Sequence, residues 1–286
     1  KGKKGTPVFN FDSYYGIQDA NRLPDLLNTE EYLLIRNEAI NNANSLRDPI
    51  RQLDTYDVAI LDTLGEVNWL DEVFNSAPTQ RYSLSASGGG DNGSFYLLGE
   101  YWSQEGVFER QRYDKYLLRF NGDIGTKKFK VGNNISFSYT DRDVINSSGD
   151  GGGPGNELSG IRYALIAAPV FPIYDQNGNY NNTSSTLGDP TLYGDGNANP
   201  LAFIDATNWT VQRYRFFGNV FAEYKFLPNL TFRTNLGADI LFQDETIFKE
   251  RLSAAIYDPT SLSRGNVTDR TMIWNNTLDY STSIGA

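Results

Sequence analysis

The 286-residue chain contains no histidine and no cysteine. That removes the Ser-His-Asp triad, histidine-ligated zinc, thiolate metal centres, disulfides and the commonest general base. What remains for chemistry is carboxylates, glycine runs and aromatic rings. Carboxylate pairs such as Glu30/Glu31 and Asp71/Glu72 are plentiful. Glycoside hydrolysis needs two carboxylates at a set separation across a cleft, and solvated helix faces explain these neighbours. Gly149–Gly155 lacks the Gly-Lys-Ser/Thr ending of a phosphate loop and reads as a flexible loop. Asp175-Gln176-Asn177-Gly178-Asn179 alternates oxygen ligands like a calcium loop, but its glycine stands fourth where an EF-hand requires it sixth. A tight hairpin turn is the better reading. No catalytic residue, metal site or cofactor is expected, and the chain does not read as an enzyme.

The aromatic residues are the stronger candidates. Trp69, Tyr163, Tyr174, Tyr180, Tyr193 and Trp209 fall in the two longest connections. An amphipathic ring can stack on a sugar or pack in an interface while its polar atom stays wet, so these six are the candidate substrate- or partner-facing residues. Packing of the loops onto one another is the competing use. The formal charge of −10 and pI near 4.6 oppose nucleic acid as a partner. Tyrosine and phenylalanine, 18 and 17 in number, favour strands. No run of about 18 apolar residues exists, so no helix spans a membrane. A membrane strand, however, needs only about 9–11 residues with every second one apolar.

Period-2 alternation predicts eight strands. The first, Thr6–Gln18, sets Phe9, Phe11, Tyr15 and Ile17 against Asn10, Asp12 and Tyr14. The next three are Gln80–Ser87, Ser94–Ser103 and Tyr113–Ile124. In Lys127–Asp141, Phe129, Val131, Ile135, Phe137 and Tyr139 oppose Lys128, Lys130, Asn134, Ser136, Ser138 and Thr140. Gln212–Leu227 and Leu230–Gln243 follow. In the last, Val267–Tyr280, Met272, Trp274, Leu278 and Tyr280 oppose Arg270, Ile273, Asn275 and Asp279. Several exceed the typical strand length of about 5–6 residues. The connections Gly88–Gly93, Gly125-Thr126 and Pro228-Asn229 are tight and built of turn formers. Those near Asp19–Thr79, Gln104–Arg112, Arg142–Val211 and Asp244–Asn266 are long. Short and long alternate, as the periplasmic turns and extracellular loops of outer-membrane barrels do. On this reading Asp12, Glu100, Trp102, Lys115, Arg119, Arg213 and Arg215 line a wet lumen, or only solvate its wall. Asn28 with Glu31 is a helix-capping pair, and Glu157–Ala168 reads as a second helix.

Several segments, in order, resemble the SusC/RagA-type TonB-dependent transporters of Bacteroidetes. Lys1-Gly2-Lys3-Lys4-Gly5 before Tyr14-Tyr15-Gly16 resembles the exit from the plug into the barrel. Asp25-Leu26-Leu27-Asn28-Thr29-Glu30-Glu31-Tyr32 resembles the helix after the first strand. Asn68-Trp69-Leu70-Asp71-Glu72-Val73-Phe74 resembles the segment before the second strand, with Asn68 where Asp is usual. Ser85-Ala86-Ser87-Gly88-Gly89, Gly99-Glu100-Tyr101, Gln104-Glu105-Gly106, Ala168-Pro169, Tyr174-Asp175 with Gly178, and Asn199-Pro200-Leu201 continue the match. The resemblance implies an all-β, antiparallel transmembrane barrel of about 22 strands. Residues 1–286 would supply its first eight or so, with short helices in extracellular loops. A plug would lie upstream and the later strands downstream. It further implies a multi-pass outer-membrane location in the lipid bilayer and energised uptake of glycans or peptides. TonB and a SusD-like lipoprotein are the expected partners, with an outer-membrane assembly or secretion machine as a further one. Two other functions fit the strands alone: a self-contained eight-stranded barrel with an adhesin or structural role, and a secreted carbohydrate-binding or hydrolytic β protein. The segment is expected not to close on itself.

Overall fold

A computed structural model describes residues 5–57, 59–60, 64–145, 160–181, 192, 199–251 and 259–282. Strict alternation becomes one eight-stranded antiparallel meander in sequence order: β1 Gly5–Gln18, β2 Ala77–Gly89, β3 Gly93–Glu105, β4 Arg112–Gly125, β5 Phe129–Val144, β6 Thr207–Leu227, β7 Leu230–Lys249 and β8 Ser261–Tyr280. β1 and β8 form opposite edges and do not pair, as expected. The register is continuous, with shifts only between Gly5 and Val8 and between Lys225 and Leu227, both beside the short turns. β5 begins two residues later than the alternation suggests, because Thr126, Lys127 and Lys128 form the turn. Thr126 N–H donates to Phe129 O at 2.6 Å, and Thr126 Oγ1 accepts from Phe129 N–H at 3.1 Å. The turns are stitched side by side. Gly125 N–H donates to Asn92 O (2.6 Å), Lys225 N–H to Lys128 O (2.8 Å) and Ser281 N–H to Asn229 O (3.0 Å). All tight turns therefore sit at one end of the sheet and all long connections at the other.

Directly opposed residues share a face, so the register sorts the side chains. One face carries rows such as Phe11–Leu84–Gly99–Leu118–Phe137–Phe216–Ile240. An aromatic row, Tyr82–Tyr101–Tyr116–Tyr139–Tyr214–Phe242, crosses it from β2 to β7. Neighbouring rings in that row lie 4.9, 6.1 and 4.7 Å apart from Tyr101 to Tyr214. Ten residues nearer the turns (139 − 129, 224 − 214 and 242 − 232) a second row runs Phe129–Tyr224–Phe232. One strand assignment needs correction. Arg270 pairs with Ile240 and so shares the apolar face with Met272, rather than opposing it; its guanidinium lies 5.5 Å from the Phe242 ring.

The strands run beyond the alternating stretch at their loop ends, where polar and apolar residues no longer sort onto separate faces. There they meet a second, separate layer. It holds α1 (Thr29–Asn44), α2 (Trp69–Val73), α3 (Gly160–Ile166) and α4 (Pro200–Ala206). The expected cap is present: Asn28 Oδ1 accepts from Glu31 N–H at 2.9 Å, and Glu31 Oε2 accepts from Asn28 N–H at 3.1 Å. The part of the second expected helix before Gly160 lies outside the described residues. The buried core is in this layer, not in the sheet: Leu33, Trp69, Leu70, Val73, Phe108, Phe171 and Ile204 pack together. α4 starts at Asn199, which is fully buried. Its Nδ2 donates to Ile173 O, and its Oδ1 accepts from Leu201 and Ala202 N–H.

Asn133, like Arg270, is a polar residue on the apolar face. Asn133 lies in the row Phe95–Gly122–Asn133–Val220–Leu236, and its Oδ1 is buried without a donor among the described residues. Leaving such an acceptor unpaired costs about 1–3 kcal/mol. Asn133→Val should therefore stabilise the complete protein by that order, read as a higher urea midpoint. A lower midpoint would show that the amide has a partner in the folded state.

Candidate functional site

Two surfaces combine the residues singled out by chemistry: the polar face of the sheet and the loop layer above it. Asp12, Glu100, Trp102, Lys115, Arg119, Arg213 and Arg215 all fall on the same, polar face. Asp12 and Glu100 share one row with Ser83, Ser138 and Arg215, while Trp102, Lys115, Thr140 and Arg213 share the next. Glu100 is almost fully covered. It accepts from Arg81 Nε at 3.0 Å and Nη2 at 2.5 Å, and Lys115 Nζ stands 3.8 Å from its other oxygen. Arg215 grips Asp239 with two parallel bonds of 2.8 and 2.6 Å, the fork geometry that makes an ion pair directional. Among the described residues Arg213 bonds a neutral partner, Gln243 Oε1, at 3.0 and 2.6 Å. Nearer the turns, Asn219 bridges Asn134 (3.4 Å) and Asn235, and Arg233 bonds Glu223 at 2.9 Å while lying 4.3 Å from the Phe221 ring. This amide network was not anticipated; the signal was the recurrence of asparagine at polar positions of successive strands.

The loop aromatics divide. Trp69 is 1% exposed; its Nε1 donates to Ala168 O at 3.0 Å, and its ring lies 5.7 Å from Phe171. It is a core residue, as is Tyr163 against Phe203. Trp209 belongs to β6 and donates from Nε1 to Glu245 Oε1 at 2.6 Å. Tyr193 lies outside the described residues, as does Gly149–Gly155. Tyr174 and Tyr180 stack at 5.1 Å, with Tyr174 half exposed. They flank the Asp175 turn, a tight hairpin: Asp175 N–H donates to Asn179 O at 2.7 Å, Gly178 adopts φ +83°, and Asp175 Oδ1 accepts from Asn177 and Asn179 N–H at 2.8 Å each. Beneath this layer a cavity of about 430 Å³ opens over the strand ends, lined by Asn75, Glu105, Arg110, Arg112, Asp143 and Trp209 among others.

Titration follows from these contacts. Burial, with help from the hydrogen bond to Asp205 Oδ2 (2.8 Å), pushes the Tyr180 phenol upward. Backbone hydrogen bonds from Asn179, then Asn177, hold the Asp175 carboxyl below the ordinary value of 3.8.

No family model matches the chain. It is 28% identical over 238 residues to TonB-dependent receptor P3 of Formosa agariphila, covering 83% of this chain and 21% of that one. It is 25% identical over 288 residues to TonB-dependent receptor P26 of the same organism, covering 98% and 26%. It is 22% identical over 312 residues to TonB-dependent receptor SusC of Bacteroides thetaiotaomicron, covering 100% and 28%. The RagAB peptide importer in its closed-closed and open-open states superposes with TM-scores of 0.73 and 0.74. Identity to it is 20% and 19%, over 99% of this chain and 33% of the importer chain. The chain is similar to TonB-dependent receptors along most or all of its length, and it shares the fold of the RagAB importer chain. It spans roughly a fifth to a third of the length of these relatives. The open sheet and the helical layer at its long-loop end are the architecture shared with the importer chain, since the superposition runs over nearly the whole chain.

The Asp175 turn yields a pH prediction. Its carboxyl is depressed, so the stabilisation is present above pH 3.8 and is lost as pH falls through the lower folded value. The carboxyl carbon of Asp175 should titrate by NMR with a midpoint below 3.8. A midpoint at or above 3.8 would mean that the turn does not hold the carboxylate.

Proposed function

We propose that residues 1–286 are the first part of the barrel wall of an outer-membrane active transporter, with a plug domain upstream and the remaining strands of a roughly 22-stranded barrel downstream. The observation that carries this reading is the two-faced sheet. Its aromatic rows lie ten residues apart on β5, β6 and β7. That is about 33 Å along a strand, or about 25 Å along the normal at a tilt near 40°, matching the apolar band of an outer-membrane wall. On this reading the apolar face meets lipid and the polar face lines the lumen. Asp12, Glu100, Trp102, Lys115, Arg119, Arg213 and Arg215 then face the lumen. The tight turns are periplasmic, and the helical layer is extracellular, where a SusD-like lipoprotein would seat. TonB would act through the region upstream of the barrel. An outer-membrane assembly or secretion machine remains a further partner during insertion. Energised import of glycans or peptides fits relatives named as TonB-dependent receptors and as a peptide importer. A closed eight-stranded barrel would require β1 to pair with β8, and these stand at opposite edges.

Two measurements test the reading. An arginine at mid-membrane costs about 2–4 kcal/mol when it faces lipid and little when it faces a wet lumen. Phe137→Arg should therefore cut the folded, heat-modifiable fraction of the complete protein in outer membranes, while Ser136→Arg should leave it near wild type. The reverse order would turn the wall inside out. Cells carrying the complete protein should also accumulate labelled oligosaccharide or peptide only while TonB is present; TonB-independent uptake would reject energised transport.

A further inference from the structure

The chain carries a net charge of −10, yet one region of its polar face holds no acid. On the loop-side half of β4–β6 the polar-face positions are Tyr113, Lys115, Leu117 and Arg119 on β4, Arg142, Thr140, Ser138 and Ser136 on β5, and Val211, Arg213, Arg215 and Phe217 on β6. Five of these are cations and none is a carboxylate. Lys115 lies opposite Thr140, and Arg142 lies opposite Val211, so Lys115, Arg142 and Arg213 are successive diagonal neighbours, about 7–8 Å from one to the next. Lys115 and Arg215 lean on the acids of flanking strands, Glu100 and Asp239. Arg119, Arg142 and Arg213 have no carboxylate within 4.0 Å among the described residues, and all three are exposed. Like charges held this close repel one another until an anion arrives. At the edge of the strip Trp102 and Tyr113 meet edge to face at 5.4 Å, and Lys115 Nζ lies 6.0 Å from the indole.

We propose that this strip binds an acidic glycan, one bearing sulfate or carboxylate groups, as it passes along the lumen wall; the assignment rests on reading the polar face as the lumen. Guanidinium forks match sulfate and carboxylate oxygens, and the adjoining rings offer flat apolar faces on which a sugar can stack. That pairing of forks and rings favours a charged sugar over an acidic peptide, which would need the forks alone. The strip is reached from the half of the sheet nearest the long loops, the side from which a substrate enters on this reading.

The test uses the complete protein purified in detergent, with three probes of equal length: dextran sulfate oligomers, uncharged dextran oligomers and oligoglutamate. Dextran sulfate should bind, dextran should not, and raised salt should weaken the binding. The variant R119Q/R142Q/R213Q should lose about tenfold or more in affinity, while R119K/R142K/R213K, which keeps the charges and gives up the forks, should lose less than the glutamine variant. Heat-modifiable migration reports that each variant is folded. Unchanged binding by the glutamine variant overturns the proposal, as does equal binding of dextran. Tighter binding of oligoglutamate overturns the assignment to a glycan. A glutamine variant that binds normally but melts at lower temperature assigns the arginines to holding another part of the protein, and also overturns it. Binding is read here without uptake. Failure of the TonB experiment would therefore strike the transport reading and leave this result standing, and the converse holds too.

Discussion

An antiparallel ladder without a slip is the constraint on which the rest of this molecule depends. Pairing runs from Val8↔Ser87 at one edge to Lys249↔Ser261 at the other, and both irregularities sit beside short turns, at the ends of their strands. A displacement of one residue in any strand would carry its whole apolar set to the other face. In β5 that would exchange Phe137 for Ser136 and Phe129 for Lys130. Two features guard against it. The hairpins are closed by bonded turns, and the turns are bonded to each other. The polar face adds cross-strand links such as Arg215 to Asp239, Lys130 to Asp123 and Arg233 to Glu223, each satisfied only in this register.

The sheet contributes no hydrophobic core of its own. Leu84, Leu118, Phe137 and Phe120 are exposed, although they would be the interior of a soluble sandwich. Burial is concentrated instead in the loop layer around Trp69, Val73 and Phe171. Two different sources of stability therefore meet at the strand tops. The layer is held by ordinary apolar packing in water. The sheet is held by backbone pairing, whose value rises where water is scarce. The cavity between them, with Glu105, Arg110, Arg112 and Asp143 at its rim, stays polar because neither source reaches it.

Strands were legible because period 2 survives wherever one face is apolar and the other is not. Their loop-side ends were not legible. In Thr207–Val211, Asp244–Lys249 and Ser261–Asn266 apolar residues such as Trp209, Val211, Ile247, Phe248 and Leu262 fall on both faces among polar ones, so the one-sided pattern vanishes while the pairing continues. The Asn28 cap could be read since its partner Glu31 is local in sequence. α2 and α4 could not, being too short to show a helical period; each is held by its buried surroundings. Among candidate residues, Asp12, Glu100, Trp102, Lys115, Arg119, Arg213 and Arg215 share the polar face, because parity alone decides that. The fate of the loop aromatics depends on which loop covers which. Trp69 is covered by residues about a hundred positions away, and nothing near it in sequence tells it apart from the half-exposed Tyr174.

The aromatic row also measures a stagger. Counted from the first residue of the strand, it is reached after 8 residues on β3 (101 − 93), 10 on β5 (139 − 129) and 12 on β7 (242 − 230). Each hairpin is thus two residues longer than its predecessor below a common hydrogen-bonded line. Two residues are about 6.7 Å of strand, set against about 9.6 Å of sheet width per hairpin. If the turns lie level at one interface, the strands lean by about 35°, inside the range of membrane barrels. A lean of that size widens each strand's share of the circumference to about 5.9 Å, so a roughly 22-stranded ring would be about 41 Å across. Side chains cannot fill a bore that wide. A protein that keeps this stagger around a full circle encloses a hole that only water or another part of the protein can fill.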